Sequence, residues 1–101
     1  MIFYFGIRDK QLLKGNVGYT IGYTTEIFYS YSSGRGVKFY YTVNNRTYHS
    51  IATYAYNSQV PGKYLVKFSK YEPDVCEIYQ DRPAPFNIVE APQEGWNYLP
   101  W

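Results

Sequence analysis

The stretch Val37-Lys38-Phe39-Tyr40-Tyr41-Thr42-Val43-Asn44-Asn45-Arg46-Thr47-Tyr48-His49-Ser50-Ile51-Ala52 decides the fold class. Two runs rich in β-branched and aromatic residues flank Asn44-Asn45, and Asn tolerates the positive φ angles that a two-residue hairpin turn requires. Placing the loop there sets Val43 opposite Arg46 and fixes every other pair. Val37/Ala52, Phe39/Ser50 and Tyr41/Tyr48 then share one side, on which large residues oppose small ones, as interdigitating core layers do. Lys38/Ile51, Tyr40/His49 and Thr42/Thr47 share the other. The expected inner face is Val37, Phe39, Tyr41, Val43, Tyr48, Ser50 and Ala52.

The same period of two extends outward from the hairpin. Val17, Tyr19, Ile21, Tyr23, Ile27, Tyr29 and Tyr31 share one parity, and Gly18, Thr20, Gly22, Thr24, Glu26 and Ser30 the other, with Phe28 breaking the pattern. That predicts one long strand, and Gly18 and Gly22 predict a bend or a close backbone approach along it. Ser32-Ser33-Gly34-Arg35-Gly36 reads as a loop, and Asn57 to Gly62 as a turn-rich connection. Lys63 to Ser69 alternates again, with Tyr64, Val66 and Phe68 inward, Lys63, Lys67 and Ser69 outward, and Leu65 against the trend. Tyr71 to Asp74 is a turn, and Val75 to Tyr79 a last short strand that makes Cys76 a small buried filler. From Asp81 the prolines Pro83, Pro85, Pro92 and Pro100 oppose regular pairing. Residues 81–101 are read as an extended tail whose Phe86, Trp96, Tyr98 and Trp101 dock on the chain's own sheet or on a partner.

Composition agrees with a β domain. The chain has 101 residues, room for one domain, and 14 of its hydrophobic residues are Tyr. A net charge of +2 conceals an asymmetry. Residues 1–70 hold nine Lys and Arg against two acids, a net of +7, while residues 71–101 hold Arg82 against six acids, a net of −5. Two readings fit: the acidic end pairs with the basic body, or the body offers a basic surface to an anionic partner. Met1 to Ile7 is apolar but far shorter than the roughly 20 residues that span a bilayer, and it lacks the marks of a signal peptide. It packs on the domain or is the remnant of a trimmed membrane anchor. Arg8 to Gly15 reads as a turn of helix closed by Gly15, or as a linker.

Thr20-Ile21-Gly22-Tyr23-Thr24-Thr25-Glu26, Phe39 to Tyr48, Val60-Pro61-Gly62-Lys63-Tyr64-Leu65-Val66-Lys67-Phe68 and Glu72-Pro73-Asp74-Val75-Cys76-Glu77-Ile78 follow in an order that resembles small bacterial β-barrel domains of uncharacterised function. Such domains are common in Bacteroidetes-like genomes and are often tethered by an N-terminal membrane helix. The likeness covers about Val17 to Tyr79, with Asn45 in place of the usual Gly and Cys76 in place of the usual Ser. It implies a five-stranded barrel and a cell-envelope setting, and it offers no catalytic residue to carry over. The expected organisation is an N-terminal segment 1–16, an all-β five-stranded antiparallel barrel or strongly bent sheet over 17–80, and the tail 81–101.

Catalytic equipment is sparse. Cys76 is the one cysteine and His49 the one histidine, which leaves no internal disulfide and removes most zinc arrangements. The two lie on separate strands with opposite predicted orientations, so they do not form a nucleophile–base pair. Ser33-Gly34-Arg35-Gly36 lacks the phosphate-loop pattern. Asn45-Arg46-Thr47 fits a glycosylation acceptor but occupies a turn for backbone reasons. The expectation is a non-enzymatic protein-binding module without cofactor or metal: an inhibitor, an immunity-type protein or an envelope accessory protein. Its expected contact residues are Lys38, Tyr40, Arg46 and His49 on the outer hairpin face, with Trp96, Tyr98 and Trp101 from the tail. Self-association through the tail is a variant. The alternative is a single-stranded nucleic-acid binder using Lys38, Tyr40, Arg46, His49, Lys63 and Lys67.

Overall fold

The computed structural model describes residues 11–30, 34–55 and 57–101. The apolar stretch Met1 to Ile7, the residues Arg8 to Lys10, Tyr31 and the Ser32-Ser33 part of the predicted loop lie outside them. Gln11 and Leu12 are helical, Lys14 N–H bonds to the Gln11 carbonyl at 3.1 Å, and the buried Leu13 faces inward from this turn.

Five strands follow: β1 (Val17–Ser30), β2 (Gly34–Val43), β3 (Arg46–Thr53), β4 (Gly62–Ser69) and β5 (Cys76–Pro83). They form one antiparallel sheet in the order β3-β2-β1-β4-β5. The hairpin register is the one its turn predicts, from Val43↔Arg46 to Val37↔Ala52, with Asn44 and Asn45 at φ 52° and 66°.

The sheet does not close into a barrel, which corrects the five-stranded barrel expected from the sequence. β3 and β5, the two outermost strands, do not pair. The reason lies in β1. Its first half, Val17 to Thr24, pairs with β4, and its second half, Tyr23 to Ser30, pairs with β2. Only Tyr23 and Thr24 pair with a strand of the sheet on both sides, so the two halves of the sheet diverge from that point. What joins β3 to β5 instead is a side chain: the Gln80 amide donates to the Thr53 carbonyl at 2.8 Å and accepts from Ala55 N–H at 3.1 Å.

A bulge in β1 between Thr24 and Glu26 explains why Phe28 breaks the alternation. An inserted residue exchanges the two faces of a strand. Before the bulge the even positions face the core; after it Ile27 lies opposite Val37 on the core side, and Phe28 lies opposite Gly36 on the outer side. The core side of early β1 is thus the glycine side. A Cβ added at Gly18 would stand 2.6 Å from the Phe68 ring, and one at Gly22 would stand 2.4 Å from Val66. The close approach expected of these glycines is how β4 side chains reach across β1.

The core joins both halves of the sheet: Phe39, Tyr41 and Val43 of β2, Val66 and Phe68 of β4 and Cys76 of β5, rimmed by Tyr48, Ala52 and Ile78. Tyr41 is fully buried, stacks on Tyr48 and donates its hydroxyl to the Pro73 carbonyl at 2.6 Å. Leu65 and Ser69, on the opposite parity of β4, are buried as well. Ser69, expected to face outward, accepts from Tyr71 and Glu72 N–H and so fixes the turn that follows.

β5 runs four residues past the expected end at Tyr79. A register shift carries it from Tyr79 opposite Leu65 to Pro83 opposite Tyr64. Pro83 is tolerated there because it ends an edge strand, where no ladder donor is required. Beyond it, residues 84–101 hold no strand and make one bridge, Tyr19↔Trp96.

Candidate binding face

Residues that lie directly opposite across an antiparallel ladder share a face, and that rule builds the outer surface. Tyr23 pairs with Lys63 on one side and Tyr40 on the other, and Tyr40 pairs with His49. One row therefore crosses four strands: Lys63, Tyr23, Tyr40, His49. The Tyr23 and Tyr40 rings stack at 5.2 Å, Tyr40 and His49 are 6.0 Å apart, and Lys63 Nζ stands 5.8 Å from the Tyr23 ring centroid. Beside it runs Glu26, Lys38 and Ile51, where Lys38 Nζ lies 3.3 Å from the Glu26 carboxylate and 5.8 Å from the Phe28 ring. Shallow clefts open on both flanks of Tyr40, one towards Pro61 and Gly62 and one towards Glu26 and Ile51. Burial, with Tyr40 and Glu90 nearby, pushes the Tyr23 hydroxyl up from its ordinary pKa, so it is a neutral donor at physiological pH.

The other half of the outer face is covered. Ile21 and Leu65 lie opposite each other there and are nearly inaccessible, at 2% and 0%. Trp96, bridged to Tyr19, shares their side of the sheet, and Trp101 packs edge-on against it at 5.8 Å and donates its indole N–H to the Arg82 carbonyl at 3.4 Å. Gly95 turns the opposite way and seats the Phe68 ring. The Gln93 carbonyl accepts from Asn44 N–H at 2.7 Å, which ties the same segment to the hairpin turn. Between Ala91-Pro92-Gln93 and the diverging walls of β1 and β2 a cleft remains, floored by Thr20 and Ile21 and edged by Thr42 and Asn45.

The seven expected contact residues thus fall into different places. Lys38, Tyr40 and His49 come together on the open half of the outer face. Arg46 is exposed but sits opposite Val43, on the core side of the hairpin at its tip, apart from that row. Trp96 and Trp101 are half-buried against their own sheet, and Tyr98 between them is 66% exposed. Lys67 lies opposite Tyr19 and Glu77 in the covered half, away from Lys63. Sequence reasoning missed Tyr23 and Glu26 as members of the face. Their place depends on the β1–β2 register and on the bulge, and the lone signal was Phe28 out of step.

Cys76 and His49 do not meet. Cys76 is buried in the core beside Tyr41 and Ser50, and burial pushes its thiol pKa up, while His49 is exposed on the other side. Among the described residues no three of His, Cys, Asp and Glu gather as a metal site, and no helix is long and apolar enough to cross a membrane. The chain matches no family model, no curated protein and no solved structure.

Proposed function

We propose that this chain is a non-enzymatic protein-binding module whose contact surface is the open half of the outer face, centred on Tyr40 and His49. One observation carries the reading. The C-terminal segment, bridged to Tyr19 through Trp96, lies over the β1–β4 half of that face, while the row on β1, β2 and β3 is left with Tyr23 and Tyr40 half-buried and His49 exposed. Tyrosines flanked by charges anchor protein interfaces because they supply large contact area at small entropic cost. In this reading the extended, Pro-rich tail is a cover held in cis, and Trp96 and Trp101 serve the fold, with Tyr98 left to the partner.

The ring faces argue against the nucleic-acid alternative. Base stacking needs an open aromatic face. Tyr23 lies between Tyr40 and Lys63, and Tyr40 lies between Tyr23 and His49, so the row presents edges and hydroxyls.

The test is affinity capture from the native host with crosslinking, using the wild-type chain, the double variant Tyr40→Ala/His49→Ala and the variant Trp101→Ala. A partner retained by wild type and Trp101→Ala but lost with the double variant supports the reading. A partner lost only with Trp101→Ala, or oligonucleotide binding that persists at about 50 mM salt and collapses in higher salt, overturns it.

A further inference from the structure

We propose that β3 is a self-complementary edge through which two copies of this chain pair, antiparallel and two-fold symmetric about His49, into one continuous sheet.

The two-residue turn fixes which backbone groups of β3 point where. Tyr54 N–H bonds to the Arg35 carbonyl, so the even-numbered residues of β3 turn towards β2. The odd-numbered residues turn outward, as the Thr53 carbonyl does where it accepts from Gln80. Among the described residues the outward N–H and C=O groups of Thr47, His49 and Ile51 take no partner. Thr47 and His49 are exposed and Ile51 half-buried, so these groups are within reach of another strand.

The two edges of the sheet are guarded unequally. β5 carries a register shift and ends at Pro83, its Gln80 side chain folds over to β3, and its Arg82 carbonyl is taken by Trp101. Those are the devices that keep edge strands from pairing. β3 has none of them along Thr47 to Ile51: its register with β2 is unbroken over eight pairs, and it contains no proline and no lysine. The core is also thinner at this rim. Tyr48 and Ala52 are half-buried, while their opposite numbers Tyr41 and Val37 are 0% exposed.

The complement of such an edge is another extended backbone, and a second copy supplies one in register. Placing His49 opposite itself sets Thr47 opposite Ile51 of the second copy, and each such pair exchanges both of its hydrogen bonds. Tyr48 of one copy falls beside Ser50 of the other and gains cover. Because β5 is guarded, the assembly closes as a dimer and does not propagate into a fibre. The aromatic row then runs unbroken through both copies, from Lys63 through His49 of each, which doubles the face proposed above. The pairing deepens that reading but does not require it: a dimer forms or fails whether or not a third protein binds.

Sedimentation velocity of the full chain from about 1 to about 200 µM tests it. The expected result for wild type is a concentration-dependent shift from monomer to dimer with nothing larger. His49→Pro removes an outward N–H without touching the β2–β3 ladder, and Ile51→Lys adds charge to the same edge; each is expected to weaken dimerisation at least tenfold. Circular dichroism establishes that each variant is folded, and Ile51→Lys serves alone should His49→Pro not fold. A wild type that stays monomeric throughout, or a dimer that persists unchanged in a folded edge variant, overturns the proposal.

Discussion

The main chains of Tyr19 and Trp96 bond to each other in both directions, Tyr19 N–H to the Trp96 carbonyl at 2.8 Å and Trp96 N–H to the Tyr19 carbonyl at 2.7 Å. This bridge lies on the side of β1 that β2 abandons at Tyr23, and it makes the C-terminal segment part of the fold. Trp96→Ala is expected to lower stability by about 1–3 kcal/mol, less than for a fully enclosed indole because Trp96 is half-buried. Urea denaturation measures it, and a loss below about 0.5 kcal/mol would show that the segment contributes little to the fold.

Gly95 offers a sharper probe of the same contact. It has φ +83°, and a Cβ there would stand 2.8 Å from the Phe68 ring and 2.9 Å from the Tyr19 carbonyl oxygen. Gly34, at φ +79°, has open space around the same position. Gly34→Ala therefore carries only the left-handed backbone cost of about 1–2 kcal/mol. Gly95→Ala is expected to cost about 1–3 kcal/mol more, from overpacking. Equal losses in the two variants would mean that the segment does not press on Phe68.

The amide of Gln80 stands in for the missing β3–β5 ladder. Gln80→Ala removes a donor and an acceptor between Gln80 and the Thr53 and Ala55 backbones and is expected to cost about 1–2 kcal/mol, with faster amide exchange at Ala55. Gln80→Glu keeps the acceptor but faces the Thr53 carbonyl with a carboxylate, so it should be no more stable than Gln80→Ala. Hydrogen exchange at Ala55 that Gln80→Ala leaves unchanged would remove the clamp from the account.

Burial raises the pKa of the Cys76 thiol and of the Tyr41 hydroxyl. Both groups are neutral in the fold and ionise more readily in the unfolded chain. Above the unfolded thiol value of about 8.5 the unfolded state therefore binds fewer protons than the folded one, and stability falls as pH rises. The contribution is complete at pH 7 and declines from about pH 8.5 upward, first through Cys76 and then, above about pH 10, through Tyr41. Urea midpoints at pH 7 and pH 10 test this, and an unchanged midpoint would contradict it. Native Cys76 should also resist thiol reagents until the chain unfolds.

The hairpin was legible because its information is local. Asn44-Asn45 dictates the turn, the turn dictates the register, and a side-chain period of two then assigns Phe39 to the core and Tyr40 to the surface. Tyr64, Val66 and Phe68 were legible for the same reason, and so was the burial of Cys76. Glu26 was not, because one residue inserted between Thr24 and Glu26 reverses every assignment after it, and the sequence marks this only by Phe28 out of step; Tyr23, ahead of the bulge, joins the face through the long-range pairing of β1 with β2 and β4.

By itself, then, the sequence determined an all-β chain with a fixed hairpin and glycines where β1 must be approached closely. The tertiary structure decided the rest. The sheet stays open because β1 shares its two halves between β4 and β2, and the C-terminal segment lies over one half of the outer face and not the other. Both outcomes depend on which strand edges remain unpaired once the sheet has formed. That is a long-range property of backbone hydrogen bonds, and neither composition nor periodicity records it.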